Sequence, residues 1–173
     1  MSTLPTIRTL EASEWAQYRD VRLRSLAESS NAFGSTLAAE QERSGEAWKE
    51  RLSSAAVSGQ DCPLIAEQDS VIIGLVWAKV DSSDDSAVNV FQMWVAPEYR
   101  GRGVGSMLLR EAVAWARRHN ARIVQLGVAC GDTSAVRLYT QAGFKVVGAP
   151  EPLRPGSELL AQSMQLLLDE AAA

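Results

Sequence analysis

Met93-Trp94-Val95-Ala96-Pro97-Glu98-Tyr99-Arg100-Gly101-Arg102-Gly103-Val104-Gly105-Ser106-Met107-Leu108-Leu109 is the stretch whose reading decides the fold. Just ahead of it and into it, Phe91, Met93 and Val95 alternate with Val90, Gln92 and Trp94, as in a strand buried on both faces. Pro97 has no N–H to give to a sheet ladder, so the strand ends near it. Gly101, Gly103 and Gly105 follow, and then Val104, Met107, Leu108, Ala112 and Trp115 recur at helical spacing. The stretch reads as strand, Gly-rich turn, helix.

Such a turn suits an anion. Glycines let the backbone bend sharply and approach a ligand. The first N–H groups of the helix lack intrahelical partners, and the helix dipole adds partial positive charge there. Arg100 and Arg102 add full charges, and a pyrophosphate is the natural guest. The plain alternative is a corner in which the glycines serve geometry and the arginines solubility. Two nucleotide-loop patterns fail. The dinucleotide pattern needs Gly where Ser106 stands and an acidic residue where Ala121 stands. The phosphate-loop pattern needs a Lys, and none occurs between Lys79 and Lys145.

What remains is R-x-x-G-x-G after a strand ending in Val95-Ala96-Pro97-Glu98-Tyr99. Residues 93–109 resemble the coenzyme A motif of the GCN5-related N-acetyltransferase (GNAT) superfamily. A second block, Asp132-Thr133-Ser134-Ala135-Val136-Arg137-Leu138-Tyr139-Thr140-Gln141-Ala142-Gly143-Phe144, resembles that family's N-x-x-A-x-x-L-Y-x-x-x-G-F. The resemblance covers strand 90–95 through residue 147. It implies a GNAT-type α/β fold, a twisted mixed sheet of six to seven strands with helices on both faces, and acetyl-coenzyme A as cosubstrate without a metal.

Composition sets the limits. The chain has 173 residues, 46% hydrophobic and 22% charged, consistent with one domain, and the resemblance implies that 1–173 is an N-acetyltransferase domain. No apolar run reaches the roughly 18 residues of a membrane span. The N-terminus has no basic region followed by an apolar one, so the cytoplasm is the expected compartment. Cys62, Cys130 and His119 are too few and too scattered for a zinc site or Cys–His catalysis. A net charge of −4 argues against nucleic acid as a partner. Positive charge is local: five arginines stand against Glu111 between Arg100 and Arg118.

The remaining elements follow from pattern. A strand at Thr6–Leu10 precedes a helix over 14–27, with Ser13 as N-cap and Trp15, Tyr18, Val21, Arg22 and Leu26 on one face. A second helical region covers 36–54, interrupted near Ser44-Gly45, with Ser44 capping the latter part. The resemblance places these helices beside the acceptor, and Phe33, Glu40 and Trp48 are candidates there or residues of a packed stripe. Strands are expected at 63–67, 71–80, 87–95, 123–128, 144–147 and within 159–168, with a helix over 134–142 and a loop at 151–156. Phe91, Trp94 and the segment 164–168 belong either to the core or to a homodimer interface.

The resemblance also implies roles. The N–H groups of Gly101, Arg102, Gly103, Val104, Gly105 and Ser106, with Arg100, would hold the coenzyme phosphates. The backbone of Met93, Trp94 and Val95 would pair with the pantetheine arm, and a bulge there would offer an N–H to the thioester oxygen. Tyr139 falls at the family's general acid, whose phenol can protonate a thiolate; a core tyrosine is the alternative. Asp132 either contacts the coenzyme or caps its helix. The general base is unassigned. Gly127 occupies the position of the Glu that ribosomal-protein alanine acetyltransferases carry in L-E-V, Phe91 replaces another family carboxylate, and Gln92 orients water but takes no proton. Glu40 and Glu42 are candidates, or the amine enters neutral. The expected reaction is direct acetyl transfer in a ternary complex to a primary amine, on a small molecule first. A protein amino group, or a non-catalytic coenzyme-binding regulatory domain, is the alternative.

Overall fold

A computed structural model of the chain describes residues 3–169. Its elements run β1 (Thr6–Thr9), α1 (Trp15–Glu28), α2 (Leu37–Gln41), α3 (Gly45–Ser58), β2 (Asp61–Gln68), β3 (Val71–Val80), β4 (Ala87–Val95), α4 (Val104–Arg118), β5 (Ile123–Ala129), α5 (Thr133–Gln141), β6 (Lys145–Pro152) and β7 (Leu160–Leu167). The seven strands form one sheet in the order β1-β2-β3-β4-β5-β7-β6. Its neighbours are antiparallel except for β4 and β5, which run parallel.

Alternation along the strands builds two cores. Val76, Ala78 and Val80 of β3 face Val104, Leu108 and Ala112 of α4, while Leu75 and Trp77 face Tyr18, Trp48 and Leu52 of α1 and α3. Gly74 allows the close approach of α4: a Cβ there would meet Leu108 Cδ1 at 2.9 Å. Leu108 is fully buried, so Leu108→Ala costs about 2.5–5 kcal/mol.

Several local expectations change. Ser13 does not cap α1. It lies in a 3₁₀ turn over Ala12–Glu14, where the Glu14 side chain accepts from the Glu11 N–H at 2.7 Å. The 36–54 region is two helices. Thr36 caps α2 through its side chain at Ala39 N, and Ser44 caps α3, which runs on to Ser58 until Gly59 stops it in the left-handed region. β6 extends to Pro152 through a register irregularity between Val147 and Glu151. Of the residues held open between core and interface, Trp94, Met164 and Leu168 are core, whereas Phe91 and Leu167 are exposed.

Candidate functional site

β4 and β5 pair over three rungs, Ala87–Ile123, Val88–Val124 and Asn89–Gln125, and then part. Beyond Asn89 the β5-facing edge of β4 is without a strand partner among the described residues, so its backbone is open to a ligand that pairs as a strand does. β4 also carries a bulge. Leu75 pairs with Trp94 and Trp77 with Phe91, which leaves one extra residue on β4. Gln92 takes it up at φ 58°, a left-handed conformation that a non-glycine residue seldom adopts. The bulge that the resemblance implied is present. The Tyr18 hydroxyl, fully buried, donates to Gln92 Oε1 at 2.8 Å and steadies it.

The chain then turns into α4. Gly103 is the N-cap at φ 82°, and Gly101 has φ 74°. A Cβ at either would touch nothing within 4 Å, so conformation requires glycine there. At Gly105 the reason is space, since a Cβ would stand 3.3 Å from Leu138 Cδ2. The first N–H groups of α4 open onto a cleft of about 470 Å³ between β4, α4 and α5. Met93, Trp94, Val95, Arg100, Gly101, Gly103, Val104, Gly105, Ser106 and Asp132 all line it.

Arg102 and Tyr139 do not line it. The Arg102 guanidinium lies 5.7 Å from the Tyr99 ring centroid. Tyr139 packs 5.9 Å from Phe144, in the apolar cluster that holds Val90 of β4 and Leu126 and Val128 of β5. Burial first, and the nearby Asp132 charge second, push its phenol well above the ordinary value. Its hydroxyl has no hydrogen-bond partner among the described residues. Asp132 caps α5, accepting from Ala135 N at 3.2 Å, and lines the cleft as well.

Arg100 is less free than the sequence suggested. Its guanidinium grips Glu28 of α1 at 2.7 and 3.2 Å, and its Nε donates to Val95 O at 2.9 Å. Burial favours the neutral Glu28 carboxyl, but hydrogen bonds from Arg100, Ser29 and Trp94 outweigh this and hold it at about 2. No pattern in the sequence marks Glu28, which lies on a helix remote from both motifs. Of the base candidates, Glu40 is buried and one of its oxygens accepts from both Arg43 and Arg51 at 3.2 Å. Glu42 is exposed at the end of α2. Among the described residues no group of three or more His, Cys, Asp and Glu is placed to hold a metal, and no helix is long and apolar enough to cross a membrane.

A second cleft, of about 530 Å³, opens where the strands part. Gln125 and Gly127 alternate with the core residues Val124, Leu126 and Val128, so they face away from α4. A ladder of amides crosses this floor: Gln165 donates to Gln125 at 3.4 Å, Gln125 to Asn89 at 2.6 Å, and Asn89 to Asp81 at 2.8 Å. Phe91, 38% exposed and stacked on Trp77, forms one wall, and Gly127 leaves open space.

A family model described as Acetyltransferase (GNAT) family matches residues 15–144. A mycothiol acetyltransferase from Stackebrandtia nassauensis is 38% identical over 84 residues, 47% of this chain and 28% of that protein. The N-acetylaspartate synthetase of Rattus norvegicus is 31% identical over 90 residues, 52% of this chain and 30% of that protein. The chain thus spans less than a third of the length of these curated relatives. Among solved structures, a GNAT acetyltransferase from Streptococcus pneumoniae superposes with a TM-score of 0.83 at 23% identity, over 96% of this chain and 100% of that one. A Salmonella typhimurium structure holding acetyl-CoA as its cofactor gives 0.79 at 21%, over 99% and 98%. At these identities the two structures establish the fold.

Proposed function

The chain belongs to the acetyltransferase (GNAT) family, and from that premise we propose that it transfers the acetyl group of acetyl-coenzyme A to a primary amine of a small molecule, by direct attack in a ternary complex. The observation that carries this reading is the parting of β4 and β5 beside the bulge at Gln92, continuous with the Gly103-capped start of α4. Those residues suit the coenzyme: N–H donors at the helix start for phosphates, an open strand edge for pantetheine, and a bulge donor for the thioester oxygen.

The acceptor reaches the thioester from the opposite side, through the cleft floored by the amide ladder. Its nitrogen attacks the acetyl carbonyl carbon; a C–N bond forms and the C–S bond breaks. The departing thiolate accepts a hydrogen bond from the Tyr139 hydroxyl and takes its proton from solvent to leave as the thiol. The nitrogen sheds its proton to water. With Glu40 committed to Arg43 and Arg51, the acceptor reacts as the neutral amine, so kcat/KM rises about tenfold per pH unit below the amine's pKa. Relatives named for mycothiol and N-acetylaspartate support a small-molecule acceptor over a protein amino group.

Three further readings belong to the proposal. Residues 1–173 act as one acetyltransferase unit, and the cytoplasm is its compartment. The third is a homodimer through β6 and β7, which expose Val146, Leu160 and Leu167. The test of function incubates the protein with acetyl-coenzyme A and separate panels of small amines and lysine peptides, reading thiol release and product mass. Turnover confined to small amines is expected. Turnover confined to peptides, or tight coenzyme binding with no turnover on either panel, would overturn the assignment.

A further inference from the structure

Arg22 is an arginine in a place where arginines are rarely left unpaired. It lies on α1 with 2% of its surface exposed. A guanidinium stays charged in proteins, and a buried charge without a partner is costly. Among the described residues no carboxylate forms an ion pair with it. Nη1 makes one long hydrogen bond, 3.4 Å, to Ser25 Oγ. One face stacks 4.6 Å from the Phe33 ring centroid. Nε is fully buried and has no hydrogen-bond partner among the described residues.

Its surroundings do not supply the missing charge. The nearby carboxylate, Glu40, already serves Arg43 and Arg51 through a single oxygen. Three guanidinium groups thus gather around one carboxylate, beneath an aromatic wall. That wall is Phe33, which also lines the coenzyme cleft. The loop that carries Phe33 is latched across the site: the Arg154 guanidinium donates to the carbonyls of Ser30, Phe33 and Gly34 at 3.0, 2.8 and 3.3 Å.

Helix α1 ties Arg22 to the bulge. Tyr18 and Arg22 stand four apart on one face of α1. Tyr18 bonds Gln92 in the bulge, and the Arg22 backbone stands about one helical turn, ~6 Å along the α1 axis, beyond that of Tyr18. An α-amino acid separates its amine from its carboxylate by a single carbon. With the carboxylate on Arg22, such an acceptor would present its amine at the bulge once Phe33 swings aside.

We propose that Arg22, with Arg51 beside it, is the receptor for a carboxylate on the acceptor, so that the substrate class is amino acids rather than simple amines. This rests on the transfer reading above and narrows it. The free protein then carries an unsatisfied buried charge that an anion relieves. Replacing Arg22 by an apolar side chain of similar volume should not destabilise the fold, because removing a buried charge in favour of packing is often neutral or stabilising. A purely structural arginine would give the opposite sign.

The experiment measures thiol release at saturating acetyl-coenzyme A on matched pairs: L-leucine with isoamylamine, and L-phenylalanine with phenethylamine. The wild type should prefer the amino acid of each pair. In Arg22→Met the KM for the amino acid should rise about 10- to 100-fold, the loss of a charged hydrogen-bond pair, with the carboxylate-free amine changed by less than about twofold. Acetyl-coenzyme A affinity and the unfolding temperature should be unchanged, or the latter raised. Arg22→Lys, which keeps the charge without the fork, should fall between. Equal use of both members of each pair, or a destabilised Arg22→Met that slows all acceptors alike, would overturn the proposal. Silence on the whole panel would strike the transfer reading itself. Sodium acetate at constant ionic strength then tests the receptor alone: stabilisation lost in Arg22→Met upholds it, and no stabilisation of the wild type sinks it.

Discussion

Tyr139→Phe removes a single oxygen from a buried side chain of α5, and the structure sets different magnitudes for its two consequences. The ring packs against Phe144 within the apolar cluster, and phenylalanine keeps that packing. The hydroxyl has no hydrogen-bond partner among the described residues, so stability should change by less than about 1 kcal/mol. Catalysis should respond more. A group that protonates or hydrogen-bonds a departing thiolate contributes about 10²- to 10⁴-fold. Here burial and Asp132 raise the phenol above its usual value of about 10, while a thiol lies near 8.5, so full proton transfer runs uphill. The contribution should therefore fall at the low end, roughly 100-fold in kcat or about 2.7 kcal/mol. Stopped assays of thiol release at saturating acetyl-coenzyme A, with denaturant unfolding of both proteins, measure the two effects together. A raised phenol also stays protonated, so the rate should not fall through tyrosine ionisation below about pH 10. A kcat within about twofold of wild type, in a variant that binds coenzyme normally, would show that Tyr139 is a core residue and refute the reasoning.

Other outcomes are equally specific. Gly127→Leu should fold, since the site offers open space and no left-handed backbone, yet raise the acceptor KM about tenfold while leaving acetyl-coenzyme A affinity unchanged; loss of coenzyme affinity instead would misplace the acceptor. Glu28→Gln probes the Arg100 clamp by pH. The folded carboxyl is lowered from 4.5 to about 2, so its stabilisation is complete above about pH 4.5 and fades as pH falls toward 2. Because the Arg100 side chain is 45% exposed, solvent screening limits the effect to about 1 kcal/mol, and a wild-type advantage that persists below pH 2 would contradict this origin.

The sheet and its central corner were legible because their signals are local. Strand alternation up to Val95, Pro97 as a stop, three glycines and a helical period are all written within one stretch of chain. The same holds for the α5 block, where Asp132 caps and Gly143 ends the helix. What escaped depends on distance. Glu28 meets Arg100 across 72 positions, and Tyr18 meets Gln92 across 74, pairings that no periodicity announces. Arg22 was legible only as a member of a packed stripe; its missing partner is a property of the assembled helices. The 3₁₀ start of α1 misled for another reason. Glu11 and Glu14 form a reciprocal cap that outcompetes the serine between them.

The central claim is that the corner at Gly101–Ser106 holds acetyl-coenzyme A, and thermal unfolding with and without that ligand tests it most directly. At a ligand concentration of a hundred times Kd the stabilisation is about 2.7 kcal/mol, which for a chain of this size is a rise of roughly 5–10 °C. That rise should vanish in Gly103→Val, whose backbone is strained at φ 82° although a Cβ there touches nothing within 4 Å. No shift at millimolar acetyl-coenzyme A in the wild type would contradict the claim and leave the glycines with a purely geometric role.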